Sequence, residues 1–130
     1  MEKYFESTGR RKRSTARVRI FEGTKASTVN GKALVDFVKG SNKTDLYIER
    51  PLIVTGLEKK YYFSAHVNGG GITGQADAIR LGLARALYDM NPDLKTILRK
   101  EDLVTRDRRE VERKKYSQIK ARKKPQFSKR

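Results

Sequence analysis

Four cations in succession, Arg10-Arg11-Lys12-Arg13, repel one another unless an anion lies among them. Guanidinium and ammonium groups so crowded suit phosphate, which guanidinium meets with two parallel hydrogen bonds and ammonium as a point charge. Arg17 and Arg19 follow at alternate positions and extend the patch. The plainer reading makes those two simply the wet face of a strand. A second cationic run closes the chain. Residues 113–130 carry nine of the 31 Lys and Arg and none of the 15 acids. They are Arg113, Lys114, Lys115, Lys120, Arg122, Lys123, Lys124, Lys129 and Arg130. Phe127 among them is a candidate stacking side chain for a nucleobase. Thr105-Arg106-Asp107-Arg108-Arg109 opens this segment. There Asp107 either orients a neighbouring arginine or, like Thr105, caps a helix.

Other chemistry finds less support. Gly69-Gly70-Gly71-Ile72-Thr73-Gly74 matches G-x-G-x-x-G between a strand-like and a helix-like stretch. A dinucleotide site needs a second parallel strand ending in an acid, and a helical pattern follows instead. No Lys-Ser or Lys-Thr follows Gly74, which excludes a Walker loop. Three readings remain: a tight turn that needs glycine, a helix N-terminus offering N–H groups to an RNA phosphate, and a bound nucleotide. His66 is the single histidine and finds no serine or acid around which a triad can be built. Cysteine is absent and no metal-ligand spacing occurs, so no cofactor is expected.

The elements that position these groups follow from periodicity. Residues 4–6 suit a short strand and residues 9–14 a loop. Ala16, Val18 and Ile20 alternate with Arg17, Arg19 and Phe21, a strand with one apolar face. Residues 26–29 suit a short returning strand before the turn Asn30-Gly31. Leu34, Phe37 and Val38 predict a short helix ending at Gly40. Residues 41–56 are the least legible; Pro51 breaks them, and residues 52–54 suit a strand. Tyr61, Phe63, Ala65 and Val67 mark the clearest strand. A long helix follows, with Ile72, Ala76, Ile79, Leu83, Leu87 and Met90 inward and Thr73 as its cap. Asp77 with Arg80 and Arg85 with Asp89 are expected to pair on its wet side. Asn91-Pro92 opens a last helix with Leu94, Ile97 and Leu98 inward.

The pattern predicts an α+β fold, a mixed sheet with helices on one face. Residues 1–104 form the globular part. Residues 105–130 form a basic extension that buries too little apolar surface to order by itself. The formal net charge is +16, of which +9 lies in the last 18 residues. Such an excess calls for a polyanion. Nucleic acid fits better than membrane, because no stretch is long and apolar enough to span and the basic runs lack an apolar opposite face. Residues 1–9 contain no apolar core of a secretory signal. Two alternatives stay open: a general nucleic-acid annealing module, and a small phosphate-handling enzyme using the glycine loop.

One ordered set of motifs resembles a known family. Thr8-Gly9-Arg10-Arg11-Lys12 with Ala16-Arg17-Val18 is followed by Val29-Asn30-Gly31. Gly69-Gly70-Gly71 with Gly74-Gln75 and Ala78-Ile79-Arg80 comes next. Leu103-Val104-Thr105-Arg106-Asp107, Val111-Glu112-Arg113-Lys114-Lys115, Lys120-Ala121-Arg122 and Gln126-Phe127-Ser128-Lys129-Arg130 complete the series. Together they resemble the bacterial-type ribosomal small-subunit protein S9 family. The resemblance implies a fold like the second domain of ribosomal protein S5, with a left-handed β-α-β arrangement. It implies a structural, non-enzymatic role on the cytoplasmic ribosome. The expected partners are small-subunit ribosomal RNA in the head, peptidyl-site transfer RNA and neighbouring head proteins. Arg10, Arg11, Lys12, Arg13, Arg17, Gly70, Gly71, Thr73 and Gln75 are then expected on ribosomal RNA. So are Arg106, Arg108, Arg109, Arg113, Lys114, Lys115, Lys120, Arg122, Lys123 and Lys124. Ser128, Lys129 and Arg130 are expected at the transfer RNA anticodon stem-loop.

Overall fold

The structure, a computed structural model, describes residues 4–38 and 45–105. Among the described residues five strands and four helices follow in the order β1 (Tyr4–Arg11), β2 (Ser14–Glu22), β3 (Thr28–Val29), β4 (Lys32–Ala33), α1 (Leu34–Phe37), α2 (Asp45–Thr55), β5 (Tyr61–Asn68), α3 (Ile72–Met90) and α4 (Leu94–Lys100). The sheet order is β1-β2-β5-β3-β4. Only β3 and β5 run parallel; the other neighbours are antiparallel. The chain is therefore α+β with a mixed sheet, as the periodicity predicts.

The register sorts the three long strands into two faces, because side chains alternate with period two. Phe5, Ile20 and Phe63 form one row across β1, β2 and β5, and Gly9, Ala16 and Val67 another. Ala16, Val18, Ile20, Phe63, Ala65 and Val67 are buried on this face under α3. Ile79, Leu83 and Leu87 meet them, and Ile48 and Leu52 of α2 are buried in the same core. Removing one such side chain from water contributes about 1.5–3 kcal/mol. On the other face the rows are Tyr4–Phe21–Tyr62, Glu6–Arg19–Ser64, Thr8–Arg17–His66 and Arg10–Thr15–Asn68.

Helix α3 approaches β1 at backbone distance. A Cβ added to Gly9 would lie 1.9 Å from the Ala78 carbonyl oxygen and 2.4 Å from the Gly82 nitrogen. One added to Gly82 would lie 2.8 Å from Val18 Cγ2. Nη1 of Arg85 donates to the Thr8 carbonyl at 3.2 Å and ties the same crossing.

Several expectations need correction. Residues 9–14 are no loop: β1 runs to Arg11, and only Lys12 and Arg13 separate it from β2. Charge does not oppose an edge strand, whose exposed rim it protects from further pairing. Residues 52–54 are helical, not extended, within an α2 that carries Pro51 in its interior. Burial of Ile48, Pro51 and Leu52 outweighs the lost backbone bond. Gly71, extended at φ −102° and ψ 176°, replaces Thr73 as N-cap of α3. Ile72 and Ile97 are exposed. The two wet-side pairs of α3 do not form: Arg85 serves β1, and Asp77 turns to Arg11 and Tyr47.

Candidate nucleic-acid interface

The cationic cluster is a β-hairpin tip. Lys12 holds φ at 53°, a conformation that costs a non-glycine residue about 1–2 kcal/mol. The paired strands on either side impose it. Ladder alternation then splits the four cations. Arg10 shares the open-face row with Thr15, and Arg11 lies on the helical side. Arg10, Lys12 and Arg13 are exposed. Arg11 is not: its side chain is 13% exposed, with Nε 3.5 Å from Asp77 Oδ2. Arg17 is exposed on the open face, opposite His66 and Thr8.

The glycine turn stands directly beside this tip. Gly69 and Gly70 take φ of 76° and 63°, where glycine is favoured. A Cβ on Gly69 would meet the Arg13 carbonyl oxygen at 2.4 Å, and one on Gly70 the Ser14 Oγ at 2.3 Å. Ser14 is buried, and its hydroxyl donates to the Gly69 carbonyl at 3.0 Å. Gln75 Nε2 donates to the same carbonyl at 3.1 Å. The turn is thus packed tightly, as the plainer reading requires, and the packing also presents a helix end. Gly71 opens to space, and the first helical bond runs from the Gln75 N–H to its carbonyl. The N–H groups of Ile72, Thr73 and Gly74 precede that bond, at the positive end of α3. Hairpin cations and helix N-terminus therefore share one edge of the molecule, an arrangement that suits phosphate oxygens.

A cleft of about 350 Å³ continues from this edge, lined by Arg10, Arg11, Thr73, Asp77, Arg80 and Tyr47 and reaching Asp102, Leu103 and Thr105. The Arg80 guanidinium carbon lies 4.4 Å from the Tyr47 ring centre. Arg80 Nε is buried without a hydrogen-bond partner. The Tyr47 hydroxyl donates to Asp77, whose other oxygen faces Arg11. Neither Tyr47 nor Arg80 stood out in the sequence as part of a site. The signal for Arg80 is its spacing, since Thr73, Asp77 and Arg80 are four and three residues apart on one helix face. Tyr47 carries no such signal.

The structure thus joins Arg10, Arg11, Lys12, Arg13, Gly70, Gly71, Thr73 and Gln75 at one edge and sets Arg17 on the adjoining open face. Arg106, Arg108, Arg109, Arg113, Lys114, Lys115, Lys120, Arg122, Lys123, Lys124, Ser128, Lys129 and Arg130 lie outside the described residues. Among the described residues no group of three metal-ligating side chains occurs, and no helix is long and apolar enough to cross a membrane.

Comparison with known proteins matches residues 9–130 to the family model described as ribosomal protein S9/S16. The small ribosomal subunit protein uS9 of Maridesulfovibrio salexigens is 46% identical over 125 residues, 95% of each chain. That of Gloeothece citriformis is 48% identical over 130 aligned positions, covering 95% of this chain and 90% of its own. That of Cytophaga hutchinsonii is 50% identical over 122 residues, 94% of each.

Proposed function

The chain belongs to the ribosomal protein S9 family, whose members are structural rather than catalytic, and from that membership we propose how it serves the small ribosomal subunit. Its body, residues 1–104, docks on ribosomal RNA of the subunit head beside neighbouring head proteins. Its extension, residues 105–130, reaches the peptidyl site, where Ser128, Lys129 and Arg130 meet the transfer RNA anticodon stem-loop. The fold is of the kind found in the second domain of ribosomal protein S5. The parallel pair β3 and β5, linked through α1 and α2, supports that assignment. The working place is the cytoplasmic ribosome.

The observation that carries the RNA reading is the packing of the Lys12-Arg13 hairpin tip against the glycine turn. Arg10, Lys12 and Arg13 supply charge there, and the α3 N-terminus supplies directed N–H donors. Arg17 and the cations of residues 106–124 extend the contact electrostatically. In the extension, Arg106, Arg108, Arg109, Arg113, Lys114, Lys115, Lys120, Arg122, Lys123 and Lys124 neutralise phosphates where RNA strands converge. Its last eighteen residues, 113–130, alone reach up to about 60 Å when extended and about 27 Å as a helix, enough to leave the body far behind.

Replacing Arg10 and Arg13 by Ala tests the docking edge. Affinity for purified small-subunit ribosomal RNA should fall, and its salt dependence should flatten by roughly two counterions. Equal affinity and slope would remove the hairpin from the interface. A general annealing module is separated by salt as well. It loses unrelated RNAs and subunits together, whereas a ribosomal protein stays with subunits at salt that abolishes non-specific binding.

A further inference from the structure

The open face of the sheet carries chemistry of its own. Its twelve positions on β1, β2 and β5 hold not one aliphatic side chain. They hold three aromatics, three arginines, a histidine and short polar groups, with Glu6 the single acid. The aromatics are gathered in one row. Phe21 and Tyr62 stack with centres 5.3 Å apart and planes 17° from parallel. Tyr4 follows Phe21 at 5.7 Å, and the Arg19 guanidinium lies 4.8 Å from the Tyr4 ring centre. Arg19 is held there by Glu6 at 3.7 Å. The result is a row of flat groups, guanidinium, phenol, phenyl and phenol, across the sheet, with the Tyr4 plane tilted 49° from that of Phe21. Among the described residues all four helices pack into the core on the opposite face, through Leu34, Ile48, Leu83 and Leu98 among others. The four rows extend about 20 Å along the strands, from the aromatic row to the row of Arg10 beside the hairpin.

From this pattern we infer that the open face is a stacking platform for unpaired nucleotides of the ribosomal RNA, with Arg19, Tyr4, Phe21 and Tyr62 as its flat surfaces and Arg17 as its phosphate contact. The inference rests on the ribosomal-RNA reading of the body. Three arginines against the single acid Glu6 give the face an excess of positive charge, which suits a polyanion better than a protein surface of mixed charge. Unpaired RNA offers what the face can engage: bases to stack on the rings and the guanidinium plane, and phosphates for Arg17 and Arg10. The platform and the docking edge then read different features, bases on one and backbone on the other.

The full chain is titrated with a short unpaired oligoribonucleotide and with an RNA duplex, at several salt concentrations. Tyr62→Leu removes a ring and keeps apolar cover. Arg19→Lys keeps the charge and removes the plane. Each should weaken unpaired RNA by at least about fivefold, leave the duplex unchanged and leave the salt slope intact, because stacking releases no counterions. Thermal unfolding checks that the variants remain folded. If both bind unpaired RNA normally while the Arg10, Arg13 variant is weakened, the platform is wrong and the docking edge stands. If neither kind of variant is weakened, the RNA reading of the body fails with it. A photoreactive group at position 62 in assembled subunits supplies a second readout. An adduct to RNA supports the platform; an adduct to protein, or none, overturns it.

Discussion

Asn30 completes the sheet with its carboxamide. Its Oδ1 accepts from the Val67 N–H at 2.8 Å, and its Nδ2 donates to the Val67 carbonyl at 3.0 Å. Strand β3 ends at Val29, so the side chain replaces the next backbone pair along β5. Asparagine also tolerates the φ of 52° found there. Asn30→Gly should keep the turn and lose both bonds, destabilising the fold by about 1–3 kcal/mol in denaturant titration. An unchanged midpoint would show that water replaces the amide at no cost. The turn Asn30-Gly31 is legible in the sequence; its bond to a residue 37 positions away is not. The same limit hides Tyr47 and Arg80. A cation–π pair between two helices follows from how the helices pack, and local spacing carries no trace of it. Alternation, by contrast, gives the exposure of Arg17 and Arg19 directly.

Among the elements, strands β2 and β5 and the helix α3 follow from periodicity, since each has one apolar face. Helix α2 does not. Pro51 and the branched residues Ile53 and Val54 favour extension locally, and packing on α3 reverses that preference. The crossing of α3 over β1 is the tightest contact between elements. Gly9→Ala forces β1 away from the Ala78 carbonyl and the Gly82 backbone. The expected loss is about 1–3 kcal/mol or more, read as a lower thermal midpoint. A midpoint within about 1 °C of the unaltered protein would mean that the two backbones separate freely. The hairpin tip should loosen with the crossing, so RNA affinity is expected to fall although no cation is lost.

For the whole molecule, the decisive property is the uneven charge. The body is folded around an ordinary apolar core, and the last 18 residues hold more than half of the net charge. The described chain reaches Thr105 at the rim of the cleft, on the side of the molecule that bears the hairpin. Deleting residues 128–130 should leave the melting of the body and its entry into subunits intact. Peptidyl-site transfer RNA should bind roughly two- to tenfold more weakly, the scale of two exposed charge contacts. Loss of subunit entry would instead make the tip part of the scaffold.

The backbone contact between Gly9 and Gly82 also imposes a timetable on synthesis. The hairpin cations lie near the start of the chain, yet the helix that fixes them ends at residue 90. A ribosome that has made only the first sixty residues holds a nascent segment with the arginines and neither β5 nor α3. Domains fold as their last required segment emerges. This one gains its shape only after α3 leaves the exit tunnel, and the basic extension follows at once. The assembled edge of hairpin and helix N-terminus therefore arrives late in the synthesis of the chain, well after its arginines.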